Sequence, residues 1–315
     1  ALFIENVMYF VYNIFTLIFL GWIMNTIQLK AKAKINLSLD VLGKRQDGYH
    51  ELKTIMQTVE LHDIVTLETA ESGIQIGCNK QYVPADENNI AWKAANLLIK
   101  KYNIKKGIRI YIQKNIPVAA GLAGGSADAA SVLRGINLLY NLGMSNNELM
   151  AAGLEIGADV PFCIRGGTML AEGIGEKLTP LKCLDGVDIL IIKPKVSVST
   201  AWVYKNLDLS AINFRPDTDK LISAIEQKKL DFLAENMKNV LETVTLPKHK
   251  VLDEIKSRLI ECGALGSMMS GSGPSVFGIF KNRASAEKAY NILKPNEWDC
   301  YITKTSCSSD NGIFI

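Results

Sequence analysis

Residues 117–130 read PVAAGLAGGSADAA, a glycine-rich turn that leaves a strand-like segment and enters a helical one. Backbone N–H groups converging where a helix dipole is positive bind phosphate, and glycines let the chain approach without a Cβ in the way. Ser126 stands near the predicted helix start, where its hydroxyl can cap the helix, contact a phosphate or ligate magnesium. A tight turn with Ser126 as a plain N-cap reads the same residues without chemistry. The loop is not a Walker A loop, since no Lys follows Gly125, and no G-x-G-x-x-G follows a strand anywhere in the chain. Residues 270–275, SGSGPS, form a second loop of small residues able to lie against a ligand, whereas GIGEK at 173–177 reads as an ordinary turn. Asp159, in GADVPF, is either an N-cap or Asx-turn carboxylate or a general base beside a phosphorylated ligand. Lys34 is either a solvated strand lysine or a cation in the same site. Tyr49 and His50, after Gly48, are a turn with an exposed aromatic or a surface on which a base stacks.

The elements that must hold these groups follow from hydrophobic period. Ile27, Leu29, Ala31, Ala33, Ile35, Leu37, Leu39 and Val41 alternate with Lys30, Lys32, Lys34, Asn36, Ser38 and Asp40, which predicts a strand with one buried face and sets Lys34 beside Asn36. Strands are predicted at 54–69, 73–78, 108–112, 168–171, 188–192, 275–280 and 300–305. Helices are predicted at 88–102, 129–140, 217–225, 229–237, 249–261 and 284–293, with one more opened by the Ser145/Glu148 capping box. Strands dominate the first half and helices the second, with strands returning at the end. The expectation is an α+β protein of two packed lobes, 25–180 and 181–315.

Composition bounds the class. With 315 residues, 48% hydrophobic and 21% charged, the chain is neither disordered nor a disulfide scaffold. Its net charge of +3 is too balanced for a dedicated nucleic-acid binder. Six scattered cysteines and three distant histidines offer no zinc or haem spacing, so no metal site is assigned to side chains, and the cysteines are expected as free thiols in a reducing compartment. Val7 to Met24 is an uncharged apolar run that meets the lower length limit for crossing a bilayer. Residues 1–24 are therefore a membrane anchor or an over-extended reading frame ahead of a start at Met24. The second is favoured by the initial Ala1, the missing linker and the ordered pattern that begins at once after Met24. A membrane is expected as a partner only if the leader is genuine.

The four segments AKAKINLSLDVLGKRQDGYHEL, PVAAGLAGGSADAASVLRGIN, GADVPF and MMSGSGPSVFGIF, in this order, resemble the GHMP kinase superfamily over residues 25 to about 305. The resemblance implies a two-lobed fold with the active site in the cleft between lobes, and a cytoplasmic ATP-dependent kinase of a small alcohol, a monomer or homodimer, using ATP and Mg2+. Its member-specific segments, AKINL, RQDGYHEL and GADVPF, imply an acceptor with a cytidine diphosphate moiety in the non-mevalonate route to isoprenoids; mevalonate or homoserine is the alternative. By matching position, Pro117, Val118, Ala119, Ala120, Gly121, Leu122, Ala123, Gly124, Gly125 and Ser126 would wrap the ATP phosphates. Asp159 would be the catalytic base and Lys34 its partner. Tyr49 and His50 would hold the cytosine with Tyr204 as the opposite stacking face, Thr200 would be a substrate-side hydroxyl, and Asn36 would lie beside the acceptor. Ala123 stands where members often carry Gly and Ala127 where many carry Ser.

Overall fold

A computed structural model describes residues 25–307. The apolar leader at 1–24, with both its readings, lies outside the described residues. Two sheets carry the fold. The first has six strands: β1 (Thr26–Lys44), β2 (His50–Ala70), β3 (Ile74–Cys78), β4 (Gly107–Gln113), β5 (Thr168–Gly173) and β6 (Lys177–Pro180). Its order is β3-β4-β2-β5-β6, with β1 paired to β2. Because β1 follows β2 almost from end to end, β4 and β5 share the opposite edge of β2. The second sheet, in the order β10-β7-β9-β8, joins β7 (Asp188–Lys193), β8 (Gly266–Met269), β9 (Val276–Phe280) and β10 (Asp299–Lys304).

Helices cover these sheets: α1 (Ile90–Lys101), α2 (Gly124–Leu139), α3 (Asn146–Leu154) and α4 (Val160–Arg165) in the first half. Then come α5 (Thr200–Lys205), α6 (Thr218–Glu226), α7 (Leu230–Asn236), α8 (Glu242–Lys248), α9 (Lys250–Glu261) and α10 (Arg283–Leu293). The apolar face of β1 is buried throughout, its first residues against α1–α3 and its middle against Phe277, Ile279 and the α6–α7 pair. Among the described residues no helix is long and apolar enough to cross a membrane.

The structure corrects three expectations. The polar face of β1 is not solvated: Lys34, Asn36, Ser38 and Asp40 are all buried. The strand departs from regular pairing with β2 between Lys32 and Lys34, and there the Lys34 amide donates to Leu122 O at 3.1 Å. Further on, Leu39 bonds to Lys238 and Val240. The free edge of β1 is thus occupied by the glycine loop and by a segment from the second half, which its sequence pattern could not reveal. Second, α2 begins at Gly124, within the glycine loop itself, so Ser126 is in the first turn and the N-cap position falls to Ala123. Third, Cys183 and Cys307 form a disulfide with a Cα–Cα distance of 5.6 Å. The chain beyond β10 returns to the turn before β7 and brings two distant cysteines into bonding range; Cys78, Cys163, Cys262 and Cys300 are free.

Candidate active site

A cavity of about 1140 Å³ opens between the glycine loop, the middle of β1, the β1–β2 hairpin and α5. That exceeds the roughly 300–1,000 Å³ usual for one small ligand and suits two ligands meeting. Of the site residues that the resemblance implies, all line it but Leu122, which is buried in the core below.

The geometry of the loop explains its sequence. Gly121 adopts φ +74°, and a Cβ there would lie 2.3 Å from Ser270 O. The Ser270 hydroxyl donates to Gly121 O at 3.0 Å, and the Ser275 amide to Ala120 O at 3.3 Å. The two loops of small residues therefore pack directly on each other, a contact only glycine permits at this point. A Cβ on Gly124 would meet Ile116 and the Lys114 ammonium, and one on Gly125 would meet Ile90. Ala123 sits at φ +54° and no side chain caps α2. The first-turn amides of Gly124, Gly125 and Ser126 consequently face the cavity without a capping oxygen, as an anion site requires.

Asp159 occupies the N-cap position of α4 but makes no capping hydrogen bond, which removes the structural reading of its carboxylate. Its Oδ2 lies 3.9 Å from Lys34 Nζ. The Lys34 ammonium donates to Asn36 Oδ1 at 2.8 Å, while Asn36 Nδ2 donates to Thr54 Oγ1 at 2.9 Å, and Thr54 donates onward to Ser38 O. This relay fixes the amide so that its oxygen faces the ammonium. Lys34 is buried to 6% side-chain exposure and Asp159 retains 36%, so the pair is anchored on the lysine side and open on the carboxylate side.

At the other end, the His50 and Tyr204 rings stand 5.0 Å apart, tilted by 30°, while the Tyr49 side chain is largely exposed at the rim. Burial, and then the Lys44 charge, hold the His50 imidazole below its ordinary pKa. Burial, and then the Asp159 charge, push the Tyr204 phenol up, so its hydroxyl remains a donor. The Thr200 and Ser272 hydroxyls share a hydrogen bond of 2.7 Å, which ties α5 to the second small-residue loop.

Sequence reasoning missed three parts of this wall. Val83, Pro84, Asn88, Asn89 and Ile90 form a shelf beside the glycine loop; the signal was Asn89, whose Oδ1 accepts from Ala91 N at 3.0 Å and caps α1. Lys114 reaches the cavity floor bonded to Asp63 and, at 2.7 Å, to Asp128, three residues that no sequence spacing connects. Lys44 and Lys205 stand on the opposite rim.

Comparison with known proteins places the chain in a family. The model of the GHMP kinases N terminal domain matches residues 89–167, and that of the GHMP kinases C terminal matches 221–300. A 4-diphosphocytidyl-2-C-methyl-D-erythritol kinase from Acetivibrio thermocellus is 60% identical over 282 residues, covering 90% of this chain and 100% of the relative. One of the same name from Clostridium botulinum is 55% identical over 88% of this chain and 99% of the relative. A crystal structure of 4-(cytidine 5'-diphospho)-2C-methyl-D-erythritol kinase superposes with a TM-score of 0.78 at 31% identity, covering 89% of this chain and all of the other. A homoserine kinase from Cytophaga hutchinsonii, at 20% identity and a TM-score of 0.76 over 93% of this chain and 98% of its own, shares the fold. The chain belongs to the GHMP kinase family, and it is a kinase. Within that family, the similarity to the cytidine-diphosphate-directed relatives runs through nearly the whole of the described chain.

Proposed function

We propose that the protein transfers the γ-phosphoryl group of ATP to the 2-hydroxyl of 4-diphosphocytidyl-2-C-methyl-D-erythritol, a step of the non-mevalonate route to isoprenoids. The observation that carries the reading is the Lys34–Asp159 pair, 3.9 Å apart, in one cavity with an uncapped glycine-loop helix. The names of relatives identical at 55–60% support the acceptor. The partition into a nucleotide-binding lobe, 25–180, and a second lobe, 181–315, belongs to the same reading, as does a cytoplasmic setting where ATP is available.

Phosphoryl transfer depends on positioning and charge neutralisation more than on covalent chemistry by the protein. Pro117–Ser126 hold the triphosphate on the amides of Gly124, Gly125 and Ser126, with the nucleoside against the Val83–Pro84–Ile90 shelf. Asp159, open to the cavity, accepts the proton of the attacking hydroxyl. Lys34 presents its ammonium to the oxygen that becomes negative as the proton leaves, and Asn36 keeps that ammonium aimed. His50, with its pKa held low, offers a neutral imidazole to the polar edge of cytosine, and Tyr49 and Tyr204 offer stacking faces. A site that pairs a base edge rejects mismatched bases strongly, because its own polar groups are left unpaired.

Among the described residues no cluster of three His, Cys, Asp or Glu side chains could hold a metal. The residues present fit magnesium bound chiefly by phosphate oxygens, as is usual for this ion, with the Ser126 hydroxyl among the protein oxygens that line the space. Bound there, magnesium would neutralise charge on the β- and γ-phosphates. The test is ATP-dependent phosphorylation of 4-diphosphocytidyl-2-C-methyl-D-erythritol by protein begun at Met24, with mevalonate and homoserine as competing acceptors. Turnover of either plain alcohol in its place would overturn the assignment.

A further inference from the structure

Four lysines line the cavity: Lys34, Lys44, Lys114 and Lys205. Two are buried and already matched to carboxylates, Lys34 with Asp159 and Lys114 with Asp63 and Asp128. Lys44 and Lys205 are exposed, and among the described residues neither makes an ion pair. Their placement is specific. Lys44 lies directly opposite His50 in the β1–β2 register; residues so opposed project from one face with Cβ atoms about 4.5–5.5 Å apart. The His50 ring meets the Tyr204 ring at 5.0 Å, and Lys205 follows Tyr204 in the last turn of α5. Both lysines therefore stand beside the aromatic pair, one on the hairpin that carries His50 and one on the helix that carries Tyr204. A helix C-terminus favours a cation and would account for Lys205 alone. It does not account for Lys44, at the end of a strand on the same rim.

The geometry points to Lys44 and Lys205 as an anion subsite that takes the diphosphate of the acceptor and selects for acceptors that carry one. The inference rests on the functional reading above, which puts the base at His50–Tyr204 and the reacting hydroxyl at Lys34–Asp159. An acceptor spanning those two points carries its phosphates next to its base, along the wall that both lysines line. The subsite also gives the enzyme a reason to refuse plain alcohols. A neutral acceptor leaves both ammonium groups without a counter-charge, while a diphosphate offers one to each. The ATP phosphates are served at the opposite end by the helix amides, so the two anionic ligands do not compete for the same cations.

Calorimetric titration of cytidine 5'-diphosphate and of cytidine into the wild-type protein, Lys44→Gln, Lys205→Gln and the double variant tests the subsite without requiring turnover. The wild type is expected to prefer the diphosphate by about tenfold or more, each charge-assisted contact being worth about that factor. The preference should shrink in each single variant and vanish in the double variant. In turnover assays the KM for the acceptor should rise about tenfold per lysine while the KM for ATP stays within about twofold, and arginine at either position should restore most of the loss. An undiminished preference in the double variant, or an ATP KM that rises in step with that of the acceptor, overturns the subsite. Absence of acceptor turnover by the wild type would instead overturn the functional reading, with the diphosphate-to-cytidine ratio still deciding the subsite.

Discussion

Two buried lysines stand on the wall of the same cavity, and they differ in what their ammonium groups have left to give. Lys114 is closed: Asp63 and Asp128 both accept from it, and its burial matches theirs. Lys34 is open: it donates to the neutral Asn36 at 2.8 Å, and its carboxylate partner stands off at 3.9 Å, beyond hydrogen-bond length. An ammonium that has spent its donors on fixed carboxylates can only hold structure. One oriented by an amide, with a charge nearby but not in contact, keeps a donor for a ligand. Burial alone does not separate these cases, and neither does residue type; the hydrogen-bond partners do.

The contrast is broken most severely from the open side. Asp159→Asn deletes the proposed proton acceptor and should lower kcat by about 10²–10⁴, with ATP affinity by titration close to that of the wild type. Near-normal turnover in this variant would show that the hydroxyl loses its proton elsewhere. Lys34→Ala should fall in the same range with little change in thermal midpoint, because Asn36 and Asp159 can both be rehydrated from the cavity.

Lys114→Met should behave in the opposite way. It strands Asp63 and Asp128, and removing one partner of a buried ion pair costs about 3–5 kcal/mol. Denaturant unfolding should show that loss. If Lys114→Met kept its stability and lost only activity, the distinction between the two lysines would collapse.

Gly121→Ala probes the loop that both lysines serve. A Cβ at φ +74° and 2.3 Å from Ser270 O must push the two small-residue loops apart, and the backbone conformation alone costs an L-residue about 1–2 kcal/mol. Raised KM for ATP and reduced stability are expected together. The measurement that sharpens the point is Ala123→Gly, at φ +54°, where stability should be unchanged or slightly improved because the strain is relieved.

How far the site was legible follows from distance along the chain. Alternation along β1 put Lys34 beside Asn36, and the glycine spacing marked the anion loop, because both signals are local. Asp159 was ambiguous: an acid before a proline at a helix start is as good a cap as a base, and the structure shows only that it makes no capping bond. Lys114 and Asp63 are 51 residues apart and Lys114 and Asp128 are 14 apart, so nothing in the sequence couples them. The larger elements were predictable from period, whereas α5 and β8, at six and four residues, are too short to show one, and α8 carries Pro247 inside it. The burial of the polar face of β1 was invisible for another reason, since it depends on what the second half of the chain lays against it.

The smallest expected effect tests the closed site from within. One ammonium faces two carboxylates. Asp63 also accepts from the amides of Asn115 and Ile116, at 2.6 and 2.7 Å, while Asp128 Oδ1 has no partner. Burial, outweighing the pull of Lys114, holds Asp128 well above the usual carboxylate range. A group whose folded pKa is raised binds more protons in the native state, so its contribution to stability is present at low pH and is lost as pH rises through that value. Asp128→Asn, permanently neutral, should cost under about 1 kcal/mol and should flatten the fall in unfolding free energy as pH rises above the ordinary carboxylate range. A loss as large as that of Lys114→Met would mean that Asp128 is charged, and that Lys114 neutralises both acids instead of one.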